Sequence, residues 1–419
     1  MSFNEKNYTE WSNVILGDIC TIKGGKRLPK GKQLSSNKTK HPYIKVKDMR
    51  ENKYISLNSG FEYLDDETFK SISRYIVNEN DLIISIVGTI GLIGLIDKSL
   101  ESANLTENCV KLIDIKYVTN DFLYYYLKSP LGEHEIKKGV VGSTQPKLPI
   151  YNIQKIALSY PPIPEQKAIA KILSDLDEKI EINNKINKTL EEMAQAIFKQ
   201  WFVDFEFPNE NGKPYKSSGG EMVESELGMI PKGWKVIKLH EIGNLTMGLS
   251  PKSKSYNTIG EGTPLLNGAA DFNDDLIKPQ KYTTQETRVC RKNDLVFCIR
   301  ATIGNITFAD REYCLGRGVA AVEPKNNLYV GLIYMNLLKS MEKLKAQATG
   351  SVILGLSKSD INDMKLILPN NDIVDNFSNI FNKVFDKKFI LQLENDNLIK
   401  LRDTLLPKLM SGEIIVPLD

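Results

Sequence analysis

Histidine and cysteine are scarce in this sequence and are not arranged as a site. The three histidines, His41, His134 and His240, lie far apart. The five cysteines form no Cys-x-x-Cys pair and are odd in number. Zinc sites and histidine-based triads need close groups of such residues, so neither has support here. Cysteine usage of this kind is typical of reduced thiols, and we expect a cytoplasmic protein without a disulfide framework.

The motifs that bind nucleotides or methyl donors are also missing. No Gly-x-Gly-x-x-Gly string follows a strand pattern, and there is no Asn-Pro-Pro-aromatic string. The run from Gly25 to Gly31 resembles a phosphate-binding loop only faintly. Five residues intervene instead of four, and Gln33 stands where Ser or Thr should hold magnesium. We therefore expect a chain that is not an enzyme and that binds no metal and no cofactor of its own.

No apolar run is long enough to cross a membrane. The longest uncharged run, residues 82–96, lies between Asp81 and Asp97. It is shorter than the ~20 residues that a membrane helix needs. Nothing like a signal peptide opens the chain, since its first residues are polar. The run is better explained as a buried pair of strands that turns at Gly88 or Gly91.

The sequence does contain an internal duplication. The string NDLIISIVGTIG (80–91) recurs as NDLVFCIRATIG (293–304), and WSNVILGDI (11–19) parallels WKVIKLHEI (234–242). Farther on, IQKIALSYPP (153–162) parallels INDMKLILPN (361–370). Matched blocks in one order indicate two copies of one unit, which is too few for a solenoid. Each copy begins with short aliphatic runs punctuated by Gly, Pro and Asn-Asp, which predicts a β-rich module.

A long helix is predicted after each module. Apolar residues recur at steps of four and three, which predicts that the two helices pack on each other as an intramolecular coiled coil. The alternative is that each helix folds back on its own module. Two polar positions in the first seam would fix the register at some cost in stability. The predicted seam residues are Ile169, Leu173, Leu176, Ile180, Asn183, Asn187, Leu190 and Ile197 in the first helix and Phe377, Val384, Leu391, Leu398 and Leu405 in the second.

Two local features admit two interpretations each. Residues 21–50 contain ten Lys or Arg against one acid, Asp48. Such a stretch is either a solvated loop or a surface that contacts phosphates. An aromatic cluster ends the first helix, and it either packs against the neighbouring module or forms a partner interface. Its members are Phe198, Trp201, Phe202, Phe205 and Phe207.

Several strings in combination resemble a known family. They are PPIPEQKAIAKIL (161–173), FKQWFVDFEFP (198–208), SELGMIPKGWKVIKL (225–239) and LRDTLLPKLMSGEI (401–414). They are similar to the shared regions of the DNA-specificity subunits of type I restriction–modification systems, and the resemblance covers essentially the whole chain. It implies an α+β fold: two pseudo-symmetric, β-rich mixed α/β target-recognition domains separated by two long antiparallel coiled-coil helices. The expected divisions are 1–157 (first domain), 158–204 (central helix), 205–226 (linker), 227–368 (second domain), 369–412 (distal helix) and 413–419 (tail).

The same resemblance implies a non-catalytic subunit that reads a bipartite site in double-stranded DNA. It would dock methyltransferase subunits, two of them, and through these the restriction and translocation subunits, with no membrane involved. S-adenosylmethionine, ATP and magnesium would belong to the partners. Two other classes remain open. A protein-only coiled-coil scaffold would show no sequence-dependent DNA binding, whereas a solo DNA-binding regulator would bind tightly without partners.

Loop context and polarity predict the DNA-contacting residues. Lys and Arg can neutralise phosphates or bind guanine, and Asn and Gln can bind adenine. The two copies should read different bases, so Thr89 and Thr302, which recur in both, are better explained as parts of a structural turn. The predicted contacts are Lys23, Lys26, Arg27, Lys45, Lys47, Thr144, Gln145 and Lys147 in the first copy and Lys252, Lys254, Asn267, Arg300, Arg317 and Ser351 in the second.

Overall fold

The computed structural model describes residues 11–49, 52–273, 276–300, 303–347 and 355–418. The chain divides into two compact units. Unit 1 comprises residues 1–182 and 395–419, and unit 2 comprises residues 183–394. Each unit therefore holds one β-rich module and one half of each long helix. Within the described ranges, no helix is both long enough and apolar enough to span a bilayer.

Module 1 is the β-rich part of unit 1, and its described residues form ten strands and five short α-helices. Its helices are α1 (Leu16–Ile19), α2 (Asp66–Ile72), α3 (Asn120–Lys128), α4 (Pro130–Gly139) and α5 (Ile150–Ile153). Its strands are β1 (Ser12–Ile15), β2 (Thr21–Gly24), β3 (Pro42–Ile44), β4 (Tyr54–Ile55), β5 (Glu62–Tyr63), β6 (Leu82–Ser85), β7 (Ile93–Ile96), β8 (Asn104–Leu105), β9 (Cys109–Ile113) and β10 (Ala157–Tyr160).

The first long helix, α6 (Ile163–Phe202), precedes module 2, and the second, α10, follows it. The helices from module 2 onward are α7 (Leu239–Ile242), α8 (Val330–Gln347), α9 (Lys358–Asn362) and α10 (Asn371–Met410). The strands are β11 (Met222–Ser225), β12 (Gly228–Pro231), β13 (Lys235–Lys238), β14 (Gly243–Met247), β15 (Tyr256–Asn257), β16 (Thr263–Leu266), β17 (Phe272–Asn273), β18 (Leu276–Ile277), β19 (Lys281–Thr283), β20 (Val289–Cys290), β21 (Leu295–Cys298), β22 (Ile306–Phe308), β23 (Tyr313–Leu315), β24 (Val319–Pro324) and β25 (Lys365–Leu368).

The two modules share a core of four main-sheet strands in the same order, which confirms the predicted fold class. The main sheet of module 1 has the order β2-β9-β6-β7-β4, and that of module 2 has β14-β24-β21-β22. A parallel pair, β3 with β8 or β16 with β23, belongs to a second sheet in each. The first and last strands of each module form an antiparallel pair, β1 with β10 and β13 with β25.

The duplicated Asn-Asp-Leu string has a structural cause. Asn80 and Asn293 adopt positive φ angles of 66° and 75°, a conformation that Asn tolerates better than most residues. The next residue closes the turn through its carboxylate. Asp81 Oδ2 accepts from Asn78 N at 3.0 Å, and Asp294 Oδ2 accepts from Arg291 N at 2.7 Å. The string therefore recurs because the same turn leads into β6 and β21.

The two long helices pack antiparallel in each unit. In unit 2, Asn183 Nδ2 donates to Glu394 Oε2 at 2.9 Å, and Lys388 Nζ lies 3.1 Å from Glu191 Oε2. In unit 1, Arg402 Nη1 donates to Asp177 Oδ1 at 2.8 Å. Residues farther along α6 thus contact residues nearer the beginning of α10, as antiparallel packing requires. The helices pair with each other, although the first turns of α6 and the last turn of α10 also enter the core of unit 1.

None of the predicted seam residues is exposed. Seven are buried and six are half-buried; the buried ones are Ile169, Leu173, Asn183, Asn187, Phe377, Val384 and Leu391, and the half-buried ones are Leu176, Ile180, Leu190, Ile197, Leu398 and Leu405. The sequence pattern missed three polar seam residues of α10 at seven-residue spacing, Lys388, Asn395 and Arg402. The Lys388 side chain is only 3% exposed. Buried polar groups of this kind cost stability but restrict helix register.

The structure moves three expected boundaries. Residue 157 falls at the start of β10, which pairs with β1 and so belongs to module 1. The expected linker 205–226 contains β11, which pairs with β12. The expected tail, 413–419, contributes Val416 to the core of unit 1. In each case, strand pairing or core packing orders residues that look like connectors.

The aromatic cluster at the end of α6 is buried and packs inside unit 2. The cluster surrounds Trp234 of module 2, which is 5% exposed. The ring of Trp234 stacks on that of Phe207, with centroids 4.8 Å apart. Phe202 and Phe205 lie 5.9 and 5.8 Å from the same ring. Of the two interpretations of this cluster, packing against the neighbouring module is therefore the one that the structure supports.

Replacing Trp234 with Ala should cost about 3–5 kcal/mol of unfolding free energy, because a large buried ring leaves a cavity. The repeat supplies a matched control. Trp11 holds the equivalent position but is half-buried, and its ring centroid lies 6.2 Å from that of Phe122. Urea denaturation followed by circular dichroism should show a smaller loss for Trp11→Ala. Equal losses of unfolding free energy would mean that the aromatic neighbours of Trp234 add no stability beyond what the half-buried Trp11 provides in module 1.

Candidate nucleic-acid interface

Loops that are far apart in sequence meet along one edge of module 1. Lys26 N donates to Leu105 O at 2.8 Å, and Thr106 N donates to Ile44 O at 3.0 Å. Ile86 N donates to Asn108 O at 2.8 Å, and Leu148 N donates to Ile86 O at 2.9 Å. These bonds join the segments that we call edge 1: residues 25–27, 45–48, 86–91, 106–108 and 142–148.

The predicted contacts of the first copy lie on edge 1 or on the strand leading into it. All are exposed except Lys45, which is half-buried: Lys23, Lys26, Arg27, Lys47, Thr144, Gln145 and Lys147. Several already have partners. Arg27 Nε donates to Glu107 Oε1 at 2.7 Å, and this hydrogen bond raises the pKa of Arg27, so the guanidinium stays charged. Lys45 and Lys47 both contact Glu62, the latter at 2.9 Å. Sequence alone gave no sign of these acidic neighbours.

Module 2 forms a corresponding edge. Leu249 N donates to Leu315 O at 2.8 Å, and Gly316 N donates to Leu266 O at 2.7 Å. Ile299 N donates to Gly318 O at 2.9 Å, and Arg317 N donates to Ser250 Oγ at 3.2 Å. Edge 2 therefore comprises residues 248–255, 267–268, 299–300 and 316–318.

Edge 2 brings together most of the predicted contacts of the second copy. Lys252, Lys254, Arg300 and Arg317 are exposed on it. Asn267 is half-buried, and its backbone N–H donates to Asp271 Oδ2 at 2.7 Å. The carboxylate of Asp271 thereby holds the loop that carries Asn267. Ser351 lies outside the described residues.

A glycine anchors each edge where two chain segments cross. A Cβ at Gly25 would lie 2.0 Å from Thr106 O, and a Cβ at Gly248 would lie 2.0 Å from Gly316 O. Any side chain at either position would force the segments apart. These glycines are a sequence signal that could have located both edges, since each follows the first strand of its main sheet at the same offset.

The edges differ in chemistry although their scaffolds match. Edge 1 carries five cationic side chains, Lys26, Arg27, Lys45, Lys47 and Lys147, together with the carboxylates of Asp48 and Glu107 and the amide of Gln145. Edge 2 carries four cationic side chains, Lys252, Lys254, Arg300 and Arg317, with the amide of Asn267, and its segments contain no Asp or Glu. Cations bind phosphates, and an amide can pair with the edge of adenine. A duplicated scaffold with a different polar edge in each copy defines a DNA-binding protein with two reading modules.

The chain belongs to the family of type I restriction–modification DNA-specificity proteins. Residues 8–192 and 231–398 each match the type I restriction modification DNA specificity domain. The two matches correspond to the two modules with most of the long helix that follows each. The chain is therefore a specificity subunit with two DNA-specificity domains, as the resemblance implied.

Named relatives support this assignment. The chain is 25% identical to the type I restriction enzyme MjaIX specificity subunit of Methanocaldococcus jannaschii, over 97% of this chain and 94% of that protein. It is 25% identical to the HindI specificity subunit of Haemophilus influenzae, over 65% of this chain and 72% of that protein. The crystal structure of the type I restriction–modification S subunit from M. genitalium shares the fold, with a TM-score of 0.60 and 18% identity. That match covers 97% of this chain and 98% of the other.

Proposed function

We propose that the two modules read the two halves of one bipartite site in double-stranded DNA. The observation that carries the proposal is the pairing of a common strand order with edges of different composition. A common scaffold presents both edges to DNA in the same way, whereas different side chains select different base pairs. One chain then recognises an asymmetric sequence without a second copy of itself.

Contacts to phosphates would provide affinity, and contacts to bases would provide specificity. Lys26, Lys47 and Arg317 are exposed cations that would neutralise phosphates and make affinity depend on salt. Asn267 and Gln145 carry amides that could bind adenine through its N6 and N7 atoms. Arg27 would exchange its carboxylate partner Glu107 for guanine or phosphate on binding.

The chemical steps would belong to partner subunits. Methyltransferase subunits, two by the family's pattern, would hold S-adenosylmethionine, and restriction subunits would hold ATP and magnesium. This chain would position the methyltransferase over the DNA site that its two edges recognise.

Apolar side chains left exposed on the helices provide the docking surface for the methyltransferase. In unit 2, five large apolar residues of α6 and α10 stay exposed, and we call them the exposed apolar set: Ile186, Met193, Phe389, Ile390 and Leu393. Phe389 also lines a cavity of about 540 Å³ together with Phe308 and Phe385. Several large apolar side chains exposed on one helix pair are a feature of protein–protein interfaces. An amphipathic helix of the methyltransferase would cover it.

Gel-shift titration against a library of random duplexes tests the proposal. The purified chain with its methyltransferase should retain a bipartite consensus with two specified halves and an unspecified gap. A scaffold would retain no sequence preferentially. A solo regulator would select a site equally well without the methyltransferase. A single contiguous consensus would also overturn the proposal.

A further inference from the structure

The structure assigns a phosphate-binding pocket to module 1, beside edge 1. A cavity of about 230 Å³ is lined by Lys23, Arg74 and Lys111, with the ring of Tyr75 and the side chain of Leu105 completing it. We propose that it takes a phosphodiester of the DNA next to the half-site that module 1 reads. This inference rests on the proposed function and adds a specific anchoring site to it.

Strand pairing places two of these cations side by side. Lys23 on β2 and Lys111 on β9 are directly opposite in the antiparallel register, so their side chains project from the same face of the sheet. Like charges at such positions repel and destabilise a sheet. On its other side, Lys111 pairs with Ile83 of strand β6, which is fully buried. The pair therefore places the exposed ammonium of Lys23 beside the largely buried one of Lys111.

Module 2 shows what the fold requires at these positions. There the equivalent row is Thr246, Ala321 and Val296, in the same register and with no charge. The topology is thus satisfied by small or apolar residues. The lysine pair is a property of module 1 alone and not of the shared scaffold.

One acid partly balances the pocket. Lys111 Nζ lies 3.3 Å from Asp81 Oδ2, and both side chains are largely buried. In module 2 the acid equivalent to Asp81 is Asp294, and Ala321 stands at the position equivalent to Lys111. Burial raises the pKa of Asp294. Lys111 therefore has a structural role in compensating Asp81. Within the described ranges, Lys23 and Arg74 have no acidic partner, so three cations and one carboxylate leave a net charge of about +2 around the cavity.

The remaining features identify the ligand as an anion of DNA. Lysine and arginine side chains only donate hydrogen bonds, which suits the all-acceptor oxygens of a phosphate. Lys26, at the start of edge 1, lies over the ring of Tyr75 with its Nζ 5.5 Å from the centroid. The pocket and the edge therefore share a wall, and DNA with its bases on edge 1 would carry its backbone past the pocket. The volume also suffices for a phosphate group and a few waters, at about 30 Å³ per water.

The test uses Lys23→Gln and Arg74→Gln in the full chain and leaves Lys111 in place for Asp81. Each variant should weaken binding several-fold and equally for the specific duplex and a random duplex. The slope of log affinity against log salt should fall by about 0.9, the value for one phosphate contact. The melting temperature should stay the same or rise, since like-charge repulsion is removed. Lys137→Gln is the matched control, because Lys137 is 75% exposed and pairs with Glu133 within its own helix.

Three outcomes would overturn the assignment. An unchanged salt slope means that no phosphate is held. A loss confined to the specific duplex means that the pocket reads a base. If inorganic phosphate raises the melting temperature of the wild type but not of Lys23→Gln, while the DNA salt slope stays the same in both, the site binds a free anion instead. Sequence-dependent retention by the wild type measures the proposed function separately.

Discussion

Exchanging residues 1–162 for the equivalent stretch of another specificity subunit should change one half of the recognised site and leave the other half as it was. The cut at 162 keeps β10 with its partner β1, whose register runs from Ser12 opposite Tyr160 to Ile15 opposite Ala157. It also retains two bonds that close the module, from Leu16 N to Ile156 O and from Gly17 N to Gln154 O, each 2.9 Å. Sequencing of methylated bases in cells that carry the hybrid would identify both halves.

A second hybrid with the cut at 157 is the control. It separates most of β10 from the donor module and leaves β1 paired with a foreign strand. We expect this hybrid to fold poorly and to methylate little DNA, because strand register would no longer be matched to its partner. If the first hybrid altered both half-sites, the modules would not read independently.

Placing charge on the exposed apolar set should abolish association with the methyltransferase. In Met193→Lys and Ile390→Lys, the altered side chains are 51% and 58% exposed in the wild type. Such surface changes usually shift stability by about 0.5 kcal/mol or less. An unpaired ammonium buried in a protein interface costs several kcal/mol, which corresponds to a loss of about a hundredfold or more in affinity.

Isothermal titration with the purified methyltransferase would measure the effect. Ile259→Lys serves as the matched control, because Ile259 is an 82% exposed isoleucine on a loop of module 2 rather than on a helix. Full affinity in both helix variants would show that the methyltransferase docks elsewhere. Loss of affinity in the Ile259 variant as well would point to a general effect of added charge.

The duplication and the helix pairing were predictable from sequence because each leaves a local periodic or repeated pattern. Asn80 and Asn293 recur because one turn geometry recurs, and the apolar seam repeats every seven residues. Lys388 and Arg402 were missed because charged residues on a helix resemble a solvated face, and only their partners on α6 show otherwise. The edges were predictable as basic loops but not as surfaces. Hydrogen bonds between segments some eighty residues apart, such as Lys26 to Leu105, bring them together.

The pocket beside edge 1 was beyond sequence reasoning for a similar reason. Lys111 appears in the sequence as one lysine in an apolar strand, and Arg74 as one arginine in a polar turn. Their proximity to Lys23 depends on strand register, which a pattern of residue types does not specify without knowledge of the partner strand.

The composition of unit 1 bears on how the protein is made in the cell. Leu409, Met410 and Val416 are buried in the core of this unit, together with residues from the beginning of the chain. A nascent polypeptide therefore cannot complete its first folded body until residues 395–418 have left the ribosome. A product of premature termination would retain every residue of module 1 and still expose the apolar side chains that residues 395–418 cover.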